Sequence, residues 1–202
     1  MDLLLLSRPD SVNEVLPLLE SRGTVTIVLD EDFRRAPREV LRDVPIAVSY
    51  SFGPILSAGN LATIGGPVIN VHPTYLPWGR GIYPILWAAY EGTPQGASIH
   101  QIDPGIDSGP VFARELVDVS SDLTLEQARS ELVGRAVGLL ALHLDSIIDG
   151  HLVPVPQAEL GARQPYRSRT QGVELLEKFP GRWHTTLGAV RLRGMKDGAT
   201  RM

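Results

Sequence analysis

A chain of 202 residues with 43% hydrophobic and 21% charged side chains is long enough for one domain with a real core, or one domain with an appended tail. A net charge of −4 lacks the basic footprint of a nucleic-acid binder, so no nucleic-acid partner is expected. The absence of cysteine excludes disulfides, thiolate catalysis and cysteine-held metals, and fits a cytoplasmic home.

The apolar opening, residues 1–7, is too short to cross a bilayer. With Asp2 and no basic start it reads as a strand over residues 3–6 rather than a signal peptide, and no membrane partner is expected. Val12, Val15, Leu16 and Leu19 then recur at helical spacing after Ser11, and Gly23 ends that helix. Residues 24–29 form a β-branched run typical of a buried strand. A polar helix over 32–42 and strands over 46–49 and 67–71 follow. This alternation predicts an α/β fold: a Rossmann-like, mostly parallel twisted sheet with helices on both faces. A short helix over 84–90 closes at Gly92, and strands over 96–102 and 110–116 flank a glycine-rich loop at 103–109. A long amphipathic helix opens on the capping-box pattern Thr124-x-x-Gln127 and stops at Gly150. Residues 1–150 are therefore expected to be the catalytic domain, and 151–202 a Pro-, Arg- and Gly-rich extension. That extension is expected to hold one short helix at 173–179 and a disordered end at 194–202.

Asn70-Val71-His72-Pro73 ends the fourth strand, and Asp107 sits in the glycine-flanked loop Asp103-Pro-Gly-Ile-Asp-Ser-Gly-Pro110. An amide, an imidazole and a carboxylate suit transfer of an acyl group to an amine. The first two can hold a developing oxyanion, while the imidazole and the carboxylate move the proton. No serine or cysteine nucleophile belongs to the set, which favours direct transfer. Taken singly, Asn70 would be a strand-end turn residue, His72 a satisfied structural histidine and Asp107 an Asx-turn aspartate. The three together, at the ends of predicted elements, favour chemistry. A metal site from His72, His100 and Asp107 lacks the HxH or HExxH spacing, and none is expected. A nicotinamide cofactor is also not expected, because Ser7-Arg-Pro-Asp-Ser11 after the first strand is no G-x-G-x-x-G turn.

Asn70-Val-His-Pro-Thr-Tyr-Leu-Pro-Trp-Gly-Arg-Gly81, Ser98-Ile-His100 and the 103–110 loop together resemble the 10-formyltetrahydrofolate-dependent formyltransferases. That group includes glycinamide ribonucleotide and methionyl-tRNA formyltransferases, sugar N-formyltransferases and formyltetrahydrofolate deformylases. The likeness is specific over residues 50–116, looser and of fold pattern only over 1–49 and 117–150, and slight after 150. It implies 10-formyltetrahydrofolate as co-substrate and Asn70, His72 and Asp107 as the catalytic set. It further implies a pterin slot from Phe52, Gly53, Ile55 and Leu56, with Asp103, Pro104, Gly105 and Ile106 reading the polar edge. The bland alternative for Phe52, Ile55 and Leu56 is ordinary core. Where the family carries an aromatic before its arginine this chain has Gly79, with Trp78 alongside, so a reshaped entrance is expected.

Arg80 is read equally as an anion ligand or a turn anchor, and His100 as an orienter near the site or a buried strand histidine. Tyr166, Arg167 and Arg169 are expected to bind the acceptor's anionic end, against the alternative of a solvated arm or a homodimer contact. The ribonucleotide enzyme's glycine-rich phosphate loop is missing after the first strand, and the 52 residues after Gly150 are too few for the tRNA enzyme's extra domain. The acceptor is therefore expected to be a small-molecule amine, best an amino sugar, nucleotide-linked or free. Hydrolysis of the formyl-folate, or folate binding without catalysis, are the alternatives.

Overall fold

The structure is a computed structural model that describes residues 1–36, 38–42, 44–161 and 165–199. Strands β1 (Asp2–Ser7), β2 (Thr24–Leu29), β3 (Ile46–Tyr50), β4 (Val68–His72), β5 (Gly96–Gln101) and β6 (Val111–Leu116) form one sheet in the order β2-β1-β3-β4-β5-β6. The pairs β1·β2, β1·β3 and β3·β4 are parallel, whereas β4·β5 and β5·β6 are antiparallel. Among these strands β5 alone is reversed, so the mostly parallel sheet expected from the sequence is the one found.

Helices cover both faces because the strands alternate between two cores. Leu3 and Leu5 of β1 face one apolar cluster with α1 (Val12–Glu20) and α5 (Leu125–Ile148). Leu4 and Leu6 face another, with α2 (Arg38–Leu41) and α3 (Ala58–Ile64). The predicted helix over 32–42 shrinks to α2, and residues 32–36 before it form turns and a bend instead. Helix α3 is absent from the sequence reading. Its start is a capping box in which Ser57 Oγ accepts from the Asn60 N–H at 3.2 Å and Asn60 Oδ1 accepts from the Ser57 N–H at 2.9 Å. Asparagine replaces the usual Glu or Gln of that motif, which hid the signal.

The extension holds more structure than its composition suggests. It contains α6 (Gln157–Leu160), α7 (Arg169–Glu177), a 3₁₀ turn (Arg182–His184) and α8 (Leu187–Lys196). Helix α7 starts before residue 173 because Ser168 caps it, its Oγ accepting from the Gln171 N–H. The expected disorder from 194 onward is wrong for residues 194–196, which close α8, while 200–202 lie outside the described residues. Helix α8 is held by packing. Leu187 and Val190 are buried with Leu86 and Tyr90 of α4 (Pro84–Glu91) and with Leu125 and Leu132 of α5. Gly194 lets α8 lie against α4, because a Cβ there would meet the Tyr90 carbonyl oxygen at 1.7 Å. Gly194→Ala is therefore expected to cost about 1–3 kcal/mol, the usual range for overpacking. A lowered urea midpoint would show it. Among the described residues no helix is long and apolar enough to cross a membrane.

Candidate active site

Asn70 and His72 stand two residues apart on β4, so their side chains share one face at its carboxyl end. Reversal of β5 then sets His100 directly opposite Asn70 and Ser98 opposite His72. A purely parallel neighbour would not bring these residues together in that register. Asp107 completes the group from the 103–109 loop. Its Oδ2 lies 3.8 Å from His72 Nε2, and its Oδ1 lies 3.7 Å from His100 Nε2.

The hydrogen bonds fix the tautomers. A carbonyl only accepts, so His100 Nδ1 must carry a proton to donate to the Gln101 carbonyl at 2.9 Å. In the neutral ring, Nε2 is then the acceptor for the Asn70 amide N–H at 3.2 Å. This pairing identifies which end of the Asn70 amide is nitrogen and leaves its second N–H for a ligand. By the same reasoning His72 donates from Nε2 to the Gly79 carbonyl at 3.1 Å. The two imidazoles meet edge to face at 5.9 Å.

Burial drives the His72 imidazole toward its neutral form, below the ordinary histidine range, against the opposing pull of Asp107. Burial alone would push the Asp107 carboxyl up. The neighbouring His72 and His100 and the Gly81 N–H, which donates to Oδ2 at 2.8 Å, outweigh it and hold the carboxyl well below the usual range. Partial solvation of the loop is not what keeps Asp107 ionised, since its side chain is only 17% exposed. Its backbone is left-handed at φ 46°, a conformation aspartate tolerates better than most residues.

These shifts set a pH dependence. Between the folded and unfolded pKa values of His72 the unfolded chain binds more protons, so stability rises with pH in that window. It should begin to fall as pH drops below about 6.5. Asp107 acts at lower pH, because its stabilising contribution is lost progressively as pH falls from the ordinary carboxylate range through its depressed folded value. Urea midpoints at about pH 7 and pH 5 test the His72 contribution: His72→Gln should lose less stability between them than the parent chain.

Two clamps hold the Asp107 loop. Arg80, buried, donates from its guanidinium to the Ile106 carbonyl at 2.7 and 3.0 Å. Gln157 of α6, also buried, donates to the carbonyls of Asp107 and Gly109 at 2.9 and 2.8 Å. The bonds to Ile106 make Arg80 an anchor of the loop. Gln157 was missed, since a glutamine in the Pro-rich 153–157 stretch carries no local sign of a partner fifty residues back.

A cavity of about 480 Å³ opens beside this group. Asn70, His72, His100 and Asp107 line it, together with Phe52, Gly53, Ile55, Leu56, Asp103, Gly105 and Ile106. Exposed Pro104 does not. Phe52 is propped edge-on by Phe33 at 5.2 Å. An apolar wall facing a backbone-rich loop suits a planar heteroaromatic head with a polar edge. Among the described residues no group of three or more histidine and carboxylate side chains is arranged to hold a metal ion.

The tail reaches this cavity. Arg167 pairs with Gly81 as an isolated parallel bridge, its N–H donating to the Arg80 carbonyl and its carbonyl accepting from Ile82, both at 2.9 Å. Only glycine fits at 81, where φ is +95° and a Cβ would lie 2.2 Å from the Arg167 carbonyl oxygen. Tyr166 and Arg169 line the cavity as a result. Arg167 does not: its guanidinium is paired with Glu91 and lies over the Trp87 ring at 4.5 Å. Its expected role at the acceptor's anionic end is thereby corrected to an anchor of the arm. Trp78 borders a separate small pocket with Trp87 and Glu91 rather than the cavity. Tyr50, missed by sequence reasoning, lines the cavity with its hydroxyl bonded to Glu14. Burial first, then Glu14, pushes that hydroxyl above the usual phenol range.

The family model described as formyl transferase matches residues 19–138. The methionyl-tRNA formyltransferase of Myxococcus xanthus is 32% identical over 184 residues, covering 88% of this chain and 55% of that protein. That of Halorhodospira halophila is 34% identical over 125 residues, covering 61% of this chain and 40% of that protein. The chain thus spans about half the length of the curated relatives it matches. Among solved structures, the formyltransferase PseJ from Anoxybacillus kamchatkensis, in complex with UDP-4,6-dideoxy-4-formamido-L-AltNAc and tetrahydrofolate, superposes with a TM-score of 0.84. It is 25% identical, with 96% of this chain and all of that chain covered. The methionyl-tRNA formyltransferase from Clostridium thermocellum superposes with a TM-score of 0.64, covering 84% of this chain and 72% of that one at 19% identity.

Proposed function

The chain belongs to the formyl transferase family, and we propose that it moves a formyl group from 10-formyltetrahydrofolate to the amine of a small molecule, a nucleotide-linked amino sugar. The observation that carries this reading is the convergence of Asn70, His72, His100 and Asp107 on a cavity whose other side is apolar. The named ligands of the PseJ structure, tetrahydrofolate and a UDP-linked formamido sugar, support both halves of it.

Phe52, Ile55 and Leu56 would hold the pterin head, and the backbone at 103–106 its polar edge. The folate supplies the formyl carbon and a nitrogen that regains a proton after transfer. The free N–H of Asn70 donates to the formyl oxygen as negative charge builds on it, and the Nε2–H of His72 joins it by exchanging the Gly79 carbonyl for that oxygen. Asp107, ionised between the two imidazoles, accepts the proton that the attacking amine loses as its bond to the formyl carbon forms, and returns it to the folate nitrogen as the bond from that nitrogen to the formyl carbon breaks. His100 holds the Asn70 amide in donor orientation.

The names of the curated relatives make charged methionyl-tRNA the second reading. A panel of UDP- and dTDP-linked amino sugars, free amino sugars, methionyl-tRNA and an amine-free control, each with 10-formyltetrahydrofolate, separates the readings. Tetrahydrofolate should form at full rate only with a nucleotide-linked amino sugar. Full-rate formate release without amine would instead make the chain a hydrolase. Folate binding with no turnover of any kind would make it a non-catalytic relative.

A further inference from the structure

Building on the amino-sugar reading, we propose that Arg129 and Arg169 bind the diphosphate of a nucleoside-diphosphate-linked acceptor, with Tyr166 beside them for the base. Three side chains of α5 line the cavity: Arg129, Val133 and Ala136. Their spacing of four and three residues places them in one stripe along the helix. Ala136 is buried and Val133 half-buried, whereas Arg129 is exposed at the amino-terminal end of the stripe. The stripe thus passes from apolar lining to a guanidinium. Arg169, the first residue of α7, lines the same cavity and is also exposed. The Gly81–Arg167 bridge ties the arm that carries Arg169 and Tyr166 to the body next to Asp107.

Charge accounting points to an anion. Neither Arg129 nor Arg169 makes an ion pair or hydrogen bond with any described residue. Other arginines of the molecule are committed: Arg167 to Glu91, Arg22 to Asp145, Arg193 to Asp197. The cavity's own carboxylates cannot neutralise the pair. Asp103 Oδ1 accepts from the Gly105 N–H at 3.0 Å and the Ser108 hydroxyl at 2.6 Å, and Asp107 is held by Gly81 and the two histidines. Glu14 is bonded to the Tyr50 hydroxyl, which also feels the positive charge of Arg129.

A neutral free sugar leaves both guanidiniums uncompensated, and a single carboxylate occupies one of them. A diphosphate offers anionic oxygens to both, in the paired geometry that guanidinium favours. Tyr166, 46% exposed, presents a ring on which a base can stack.

Calorimetric titration of the full chain with UDP, and separately with folinic acid, tests the proposal. UDP should bind the parent chain, and Arg129→Ala and Arg169→Ala should each weaken it about ten- to a hundredfold, the usual loss of a charge-assisted hydrogen bond. Folinic acid affinity should stay within about twofold, which also reports an intact fold. Folinic acid binding without UDP binding would overturn the diphosphate site while leaving formyl transfer standing. Failure of both ligands would overturn the two together. UDP affinity unmoved by either substitution, or a variant that loses folinic acid as well, would overturn the assignment of that arginine.

Discussion

Asp107→Asn is expected to lower kcat by about 10²–10⁴-fold, the usual range for a general base, at every pH where the parent chain is active. The substitution keeps the shape and the acceptor oxygen for the Gly81 N–H, so the loop geometry should survive. What it removes is the negative charge next to His72 and His100 and the capacity to take a proton. Because the carboxyl of the parent sits well below the ordinary carboxylate range, Asp107 is ionised throughout the neutral region. A fall of rate on the acid side of neutrality therefore does not report Asp107. Steady-state rates across pH, with folinic acid binding as a control, give the comparison. A variant with near-parental kcat would remove Asp107 from the proton transfer.

Asn70→Ala should reduce kcat by about 10²–10³-fold, the loss seen when one donor to a developing oxyanion is removed. Folate binding should change little, since the apolar wall of Phe52, Ile55 and Leu56 is on other elements. The Asn70 amide is oriented by His100, so the two act as a unit. In a double-mutant cycle the loss for His100→Ala in the Asn70→Ala background should be much smaller than in the parent. Additive losses would mean that His100 acts on Asp107 alone. An Asn70→Ala variant with unchanged kcat would exclude the amide as a donor.

The sequence by itself determined the strands and helices with strong periodicity, the parallel half of the sheet and the place of Asn70 and His72 at the end of the fourth strand. These are local properties. A period of two or of 3.6 is written in consecutive residues, and a motif at the end of a buried strand necessarily meets the carboxyl edge of a parallel sheet. The tertiary structure decided which side chains meet across long separations. His100 faces Asn70 only because β5 is reversed and pairs in that register. Arg167 and Arg169 are two residues apart with the same guanidinium, yet Glu91 and Trp87 claim one and the cavity the other. Arg129 belongs to the cavity because α5 packs on β4, β5 and β6, and Gln157 holds the Asp107 loop through hydrogen bonds to carbonyls about fifty residues back in the chain. Helix α8 has weak amphipathicity of its own, and its order comes from burying Leu187 and Val190 against α4 and α5. Such choices are settled by the free energy of packing and charge pairing in the folded chain, which no run of neighbouring residues encodes.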